Sequence, residues 1–492
     1  MDSILSTKID AFKRYLDDAS LMQKDYQLTG VQWTLTNELH STPPYGVRGG
    51  FIADEMGLGK TIMMIGTCYT NPLQNTLIVL PPVLIDQWVD HIFKTTAIKP
   101  YVFHGKNKKI LPTQLYTHTF VITTYAAICL KKKENYNSTH HILFQKKWDR
   151  IIFDEAHHLR NPNTAANISA NALKATIKWL ISGTPIQNKK KDFYALSSVI
   201  GLPKKFYTDM NEIKTHAKHF ILKRTKEQVG LPLLPIVHNS NLVEWKNKSE
   251  MHLSKLIHSN LNFSNLDTFK PKHTYLYNNK STHKIVHMIR AKQSCTFPKL
   301  LMESIDKLPK NKRHLYAEAY QNSSKLDAIT NSILEKKNNG NGKLIFCHYR
   351  LEIDELYNRL IKNHLKVATF DGRTPFCKRK EILTQKNDVL ILQIQTGCEG
   401  LNLQSNFSEI YFVAPHWNPS IEDQAVARCH RFGQNKTVYV ERFSMTHFQE
   451  NKKFELDNHD KDHDKETKNI DQYTCGVQNN KRKIVQEVLG NV

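Results

Sequence analysis

The chain has 492 residues, 40% hydrophobic and 23% charged, with 69 lysines and arginines against 46 aspartates and glutamates, a formal charge of +23. That length exceeds what one hydrophobic core usually organises, so two domains are expected. No run of about 18 apolar residues is present to span a bilayer, and the amino-terminal MDSILSTKIDAFKRYLDD carries charge where a secretory signal needs an apolar stretch. Eight cysteines, never spaced as CxxC, exclude the common zinc-ribbon pattern and read as isolated thiols. The basic surplus points to a polyanionic partner, nucleic acid first, unless it reflects only a lysine- and asparagine-rich composition.

In chain order, residues 1–24 read as a helical lead. From 27 to 237, the short apolar runs GGFIAD, NTLIVL, TFVITTY, RIIFDE and KWLISG alternate with helix-like segments, the pattern of a parallel α/β sheet. A first lobe is therefore expected over 25–240. Residues 241–322 lack strand-like runs and read as a helical protrusion or linker. A second series, KLIFCHY, KVATFDG, DVLILQI, EIYFVAP and TVYVERF, predicts a second α/β lobe over 323–446. The tail, 447–492, opens with the polar NKKFELDNHDKDHDKETK, which reads as a solvated stretch, and closes on a short helix over 481–489.

Three segments carry chemistry. GGFIADEMGLGKTIMMIGTCY orders a strand, a glycine turn and a helix start, so that backbone N–H groups can cradle phosphate. Gly57 and Gly59 permit the turn, Lys60 brings an ammonium to the phosphates, and Thr61 offers a hydroxyl to magnesium, with Asp54, Glu55, Met56 and Leu58 completing the loop. Asp54 stands where the full pattern wants a glycine. RIIFDEAHHLRN sets Asp154 and Glu155 at the carboxyl end of an apolar strand, where Asp154 can hold Mg2+ and Glu155 can orient and deprotonate an attacking water. In NPSIEDQAVARCHRFGQ, Ser420 with Asp423 resembles a capping box and Gly433 a helix stop. A helix between them puts Gln424, Arg428 and Arg431 on one face, beside an apolar face of Ala425, Cys429 and Phe432. Guanidinium forks suit a phosphoryl group carrying developing charge. Taken singly, each segment has a plainer alternative: a coincidental helix start, a capping acid pair, a surface salt-bridge helix.

Taken in series, the segments resemble the Swi/Snf group of superfamily-two helicase-like motors. DEMGLGKT, DEAH and SGTPIQN carry that resemblance, joined by YQLTGVQW, LIVLPPVLIDQW, VITTY, LKRTK, SSKLDAI, KLIFCHY, FDGRT, GLNLQ and HWNPSIEDQAVARCHRFGQ. It implies two RecA-like parallel-sheet lobes with a helical insertion between them. The implied activity is ATP hydrolysis with Mg2+, driving movement along double-stranded DNA and the remodelling or displacement of bound proteins. Arg428 and Arg431 act as fingers from the second lobe, so that only a closed cleft is hydrolytically complete. By the resemblance Gln27 would contact adenine, with Gly400 and Gln424 joining the ATP set, and Ser182, Gly183 and Thr184 would couple hydrolysis to lobe movement. Pro82, Thr123, Thr124 and Asn402 line the nucleic-acid track, each equally readable as a turn or cap residue. The implied partners are duplex DNA, held mainly by its phosphates, and nucleosomes or transcription machinery, with no membrane. The implied state is a monomer in the nucleus or another site of DNA metabolism, such as a viral replication compartment. Basic clusters at Lys131 to Lys133, Lys189 to Lys191, and Lys310 with Lys312 and Arg313 are further contacts or plain solvated surface. Cys398 and Phe297 depart from the group's pattern, where glycine and histidine are usual. Two other readings stay open: a transcription-associated or strand-separating ATPase, and a non-catalytic DNA-binding scaffold.

Overall fold

The computed structural model describes residues 2–130, 141–184, 189–259, 261, 284–302, 317–397, 401–448 and 468–490. The chain divides into two compact units, Met1–Pro232 with Lys481–Val492, and Leu233–Asn480.

The first unit is built on seven parallel strands, β1 (Arg48–Ile52), β2 (Thr76–Leu80), β3 (Tyr101–Val102), β4 (Phe120–Thr124), β5 (Trp148–Asp154), β6 (Ala175–Ile181) and β7 (Ile221–Leu222). Their order across the sheet is β3-β4-β2-β5-β6-β1-β7. Side chains alternate between two cores: Leu77, Val79, Ile151 and Phe153 face one, with Phe193 and Phe220, while Ile78, Leu80 and Ile152 face the other, with Val31, Met63 and Trp88. Burial on both faces is why these strands are continuous apolar runs in sequence. The helix Asp2–Asp18 lays Phe12, Tyr15 and Leu16 into the second core. It meets the helix Lys60–Thr70 at Gly66, where a Cβ would stand 2.1 Å from the Phe12 ring.

Among the described residues of this unit, one ion pair lies wholly inside. Arg150 of β5 donates Nε to Glu38 Oε1 at 2.7 Å and its second nitrogen to Oε2 at 2.5 Å. Trp179 Nε1 and Asn71 Nδ2 saturate the same carboxylate, both at 2.8 Å. Buried charges persist when paired and hydrogen-bonded in this way.

The second unit holds six parallel strands, β8 (Ile236–Val243), β9 (Gly342–Cys347), β10 (Val367–Phe370), β11 (Val389–Gln393), β12 (Phe407–Phe412) and β13 (Val438–Met445), in the order β10-β11-β9-β12-β13-β8. Ile345, Cys347, Val389 and Ile391 face one core; Leu344, Phe346, Leu390 and Leu392 face the other. Helices Lys248–His258 and Lys284–Thr296 fall within the stretch expected to be helical.

Two boundaries differ from expectation. β8 pairs with β13 from Ile236 to Val243, so the first unit ends at Pro232 and not at 240. Its sequence, IVHNSNLV, hides the strand because it is a half-exposed edge: Asn239 and Asn241 donate to Glu441, each at 2.9 Å, in place of apolar packing. The final helix runs Ile470–Leu489, beginning well before 481, because Asn469 caps it by accepting from the N–H groups of Asp471 and Gln472. The polar stretch expected after Phe448 lies largely outside the described residues, as do the basic clusters at 131–133 and 310–313 and the departure at Cys398.

Candidate active site

Three neighbouring strands bring the first unit's chemistry to one sheet edge. β6 lies between β5 and β1, with Asp154 level with Ile181 and Ile181 level with Ile52. The loops leaving all three carboxyl ends therefore emerge side by side, where open α/β sheets bind ligands. After β1, the backbone turns through Gly57 at φ 94° and Gly59 at φ 76° before the helix starts at Lys60. Gly59 also makes room for Gln27, whose Nε2 donates to the Leu58 carbonyl at 3.3 Å; a Cβ on Gly59 would stand 2.3 Å from that nitrogen.

Lys60 Nζ donates to the Asp54 carbonyl at 2.8 Å and reaches that of Glu55 at 3.4 Å, so its ammonium sits within the turn. The loop after β6 approaches from the other side: a Cβ on Gly183 would lie 3.5 Å from Lys60 Nζ. Ser182 donates its N–H to the Ile52 carbonyl at 3.1 Å, and its hydroxyl accepts from the Thr184 N–H at 3.2 Å. Gln27, the 54–61 turn and the 182–184 loop thus form one cluster. Met56 and Thr61 are partly exposed on it, whereas Leu58 turns its side chain inward.

Asp154 is buried at the end of β5. Trp88 Nε1 donates to its Oδ2 at 2.7 Å, the Glu155 N–H to its Oδ1 at 2.9 Å, and Tyr125 Oη to its carbonyl at 2.6 Å. Burial first, and the charge of Glu155 second, push Asp154 up to about 7; the Trp88 donor and the Lys60 ammonium pull it back. Glu155 holds a left-handed backbone at φ 49°, uncommon for a side chain of its size, and Oε2 approaches His157 Nδ1 to 3.2 Å. Trp88 and Tyr125 lie inside the LIVLPPVLIDQW and VITTY segments, but nothing in their sequence says that they hold Asp154. Only the folded sheet shows it.

Asp54 and Glu55 also have partners that the sequence did not declare. Arg224 donates to both Asp54 oxygens, at 3.1 and 2.5 Å, and Lys226 meets Glu55 Oε1 at 3.1 Å. Their side chains are bound by cations of the protein itself. Thr123 and Thr124 are interior residues, 0% and 1% exposed, and Thr123 Oγ1 donates to the Phe103 carbonyl at 3.0 Å, contrary to their expected place along a nucleic-acid track. Pro82 is exposed.

In the second unit the arginine segment differs from the expected helix. The cap is Asn418, whose Oδ1 accepts the Ser420 N–H at 3.2 Å; Pro419 takes the first helical position, and the helix ends at Val426. Arg428 and Arg431 therefore sit in the turns beyond the helix and do not continue the face of Gln424. Ala425 and Cys429 are buried as expected, but Phe432 is exposed. Asn402 Oδ1 accepts from the Arg431 guanidinium, and the Leu403 N–H donates to the Arg428 carbonyl at 3.1 Å, so Asn402 and Leu403 brace both arginines. Burial, with the charge of Arg428 adding to it, lowers the pKa of Arg431 from its ordinary value. Gln424 is buried nearby. Gly400 and the PIQN of SGTPIQN lie outside the described residues.

A phosphate-type turn, a strand-end acid pair and a second parallel unit with a braced arginine segment together define a helicase-like ATP hydrolase. The match to known families is specific. The SNF2-related domain matches residues 26–352 and the helicase conserved C-terminal domain residues 324–433, so the chain belongs to the SNF2-related family. It is 26% identical over 449 residues to a probable global transactivator of Orgyia pseudotsugata multicapsid polyhedrosis virus, covering 86% of each chain. It is 27% identical over 497 residues to chromodomain-helicase-DNA-binding protein 9 of Homo sapiens, covering 91% of this chain and 16% of that protein. An uncharacterized ATP-dependent helicase of Mycoplasma pneumoniae is 27% identical over 451 residues, 85% of this chain and 39% of that one. The chain thus spans most of the viral protein and a minor part of the other two. Among solved structures it is similar to the Sulfolobus solfataricus SWI2/SNF2 ATPase core in complex with dsDNA, at 22% identity and a TM-score of 0.39, over 86% of this chain and 87% of that one.

Proposed function

We propose that this protein is a DNA-dependent ATPase that moves along double-stranded DNA and displaces or remodels proteins bound there. The observation that carries the reading is the convergence of Lys60, the 182–184 loop and the Asp154–Glu155 pair at one edge of the first sheet. Lys60 and the turn N–H groups bind the phosphates, Gln27 reads the base, and Glu155 orients and deprotonates the attacking water. Arg428, Arg431 and Gln424 are the second unit's contribution, the guanidiniums stabilising charge on the transferred phosphoryl group. The donor set suits Mg2+, since two adjacent carboxylates, one of them buried, lie at the sheet edge from which the loop leading to the Lys60–Thr70 helix, with its Thr61 hydroxyl, also leaves. Thr61 and Asp154 would hold the ion, which when bound neutralises phosphate charge.

The formal charge of +23 supports a polyanionic track bound through its phosphates, with a steep salt dependence and little base selectivity. Nucleosomes or transcription machinery are the proposed associates, a monomer the proposed state, and the nucleus or another site of DNA metabolism the proposed location. Among the described residues no helix is long and apolar enough to cross a membrane. The test is ATP turnover without nucleic acid and with duplex DNA, single strands, RNA and nucleosomes. Duplex DNA should stimulate most; no stimulation by duplex overturns the reading. Lys60→Ala or Glu155→Gln should abolish hydrolysis and leave DNA binding nearly intact.

A second reading, a transcription-associated or strand-separating ATPase, draws on the similarity to the probable global transactivator across 86% of each chain. Displacement of a triplex-forming strand without duplex unwinding favours translocation; unwinding of the duplex favours this alternative.

A further inference from the structure

We propose that Arg224 is a positioning residue for the nucleotide, a single guanidinium that ties the phosphate loop to the helix carrying the base-reading Gln27, with Lys226 completing the clamp. The proposal rests on the reading that residues 54–61 bind ATP.

The clamp begins as sheet and continues as side chains. β7 pairs with β1 through Phe51 with Ile221 and Ile52 with Leu222. The pairing then runs past the end of the sheet, with the Ala53 N–H donating to the Leu222 carbonyl at 2.7 Å and the Glu55 N–H to the Arg224 carbonyl at 2.9 Å. Residues 222–226 therefore form a backbone seam along the first half of the loop. On this seam Arg224 donates Nε and one terminal nitrogen to the two oxygens of Asp54, which is fully buried. Lys226 gives its N–H to Glu55 Oε2 at 2.9 Å and its ammonium to Oε1 at 3.1 Å.

The other terminal nitrogen of Arg224 points to the helix Asp25–Leu39. It donates to the Tyr26 carbonyl at 2.5 Å and the Thr29 hydroxyl at 3.2 Å, and the guanidinium lies 5.9 Å from the centre of the Tyr26 ring. Gly30 leaves the passage: a Cβ there would stand 2.9 Å from Arg224 and 2.6 Å from Met63 Sδ. Gln27, one residue after Tyr26, meets the loop at the Leu58 carbonyl. Only a planar fork with donors on both edges can hold a carboxylate on one side and a carbonyl on the other; an ammonium is a single point. The acid at position 54, a departure from the glycine of the usual phosphate-loop pattern, is the anchor for this fork.

Loss of the fork lets the loop and the helix start leave register before nucleotide binds. Affinity then falls by the fraction of molecules that keep the binding geometry, while bound nucleotide restores the loop and turnover at saturation is largely spared. The experiment measures MgADP affinity by calorimetry, KM and kcat for ATP and GTP, and the melting temperature, in full-length Arg224→Lys and Asp54→Asn. If about one molecule in ten keeps the geometry, MgADP affinity drops roughly tenfold, KM for ATP rises in parallel, and kcat stays within about twofold. The preference for ATP over GTP narrows, because the register of Gln27 is set through Tyr26. A general loss of folding lowers the melting temperature and the active fraction without moving that preference. Unchanged MgADP affinity and an unchanged ATP-to-GTP ratio in whichever variant folds overturn the proposal. So does a fall in kcat at unchanged affinity. Lys60→Ala separates the two readings: hydrolysis persisting in that variant sinks the ATP-site assignment, whereas loss of hydrolysis there with Arg224→Lys behaving as the parent sinks the clamp alone.

Discussion

Replacing Trp88 by phenylalanine keeps an aromatic ring in the core and removes one N–H. That N–H donates to Asp154 Oδ2 at 2.7 Å from a residue only 1% exposed, while Asp154 Oδ1 accepts the Glu155 N–H at 2.9 Å. A hydrogen bond to a charged buried group is worth about 1.5–3 kcal/mol, and the smaller ring adds a cavity cost of roughly 1–2 kcal/mol. The two effects have different readouts. The cavity lowers the unfolding midpoint of the first unit. The missing donor leaves Asp154 free to rotate away from its working orientation, and if that loss falls on the reacting state, turnover drops about 10–150-fold. Tyr125→Phe removes a neutral donor to the Asp154 carbonyl, 2.6 Å away, and leaves the carboxylate donors in place, so a fall of roughly fivefold is expected. The assay is steady-state ATP turnover at saturating ATP and Mg2+, with thermal unfolding on the same preparations. Turnover of folded Trp88→Phe within twofold of the parent, or a larger loss in Tyr125→Phe, would show that the Trp88 N–H does not hold Asp154 for turnover.

Other expectations follow from the same geometry. Arg150→Met strands Glu38, which is fully buried, and should cost about 3–5 kcal/mol in urea unfolding; adding Glu38→Gln should recover a good part of it, because a buried neutral amide costs less than a buried lone charge. Arg431→Ala should lower kcat more than it lowers ATP affinity, since a group acting on developing charge contributes most in the transition state; loss of affinity at unchanged kcat would assign it to ground-state binding. His258 donates Nδ1–H to the Ser254 carbonyl at 2.7 Å and accepts the Ile470 N–H on Nε2 at 3.0 Å, and burial pushes its pKa down to about 4 from an ordinary 6.5. The folded pKa is depressed, so the unfolded chain binds the proton more readily; the stabilisation is complete above pH 6.5 and is lost as pH falls from there through about 4. On the order of 3 kcal/mol is at stake, and acid unfolding of His258→Gln should be correspondingly less steep over that window than the parent's.

What the sequence determined by itself was whatever depends on local order. Apolar runs such as NTLIVL and KLIFCHY declare strands because both faces of each sheet are covered, and GLGKT declares a turn because glycine alone takes positive φ cheaply there. The placement of Lys60 at a helix start after the glycine turn, and of Asp154 and Glu155 at the end of a strand, was legible for the same reason. The tertiary structure decided what depends on partners distant in the chain. Strand β8 exists because β13 pairs with it, not because its polar residues favour a strand. Trp88 and Tyr125 matter through Asp154, and Arg224 through Asp54, which lies 170 positions earlier in the chain. The arginine segment shows the limit within a single motif. Its residues read as one helix face by spacing, but Asn418 begins the helix earlier, the helix stops at Val426, and Asn402 from another loop fixes Arg431. Spacing specifies a face only while the helix lasts, and where a helix stops is settled by the neighbours that compete for its backbone and side chains.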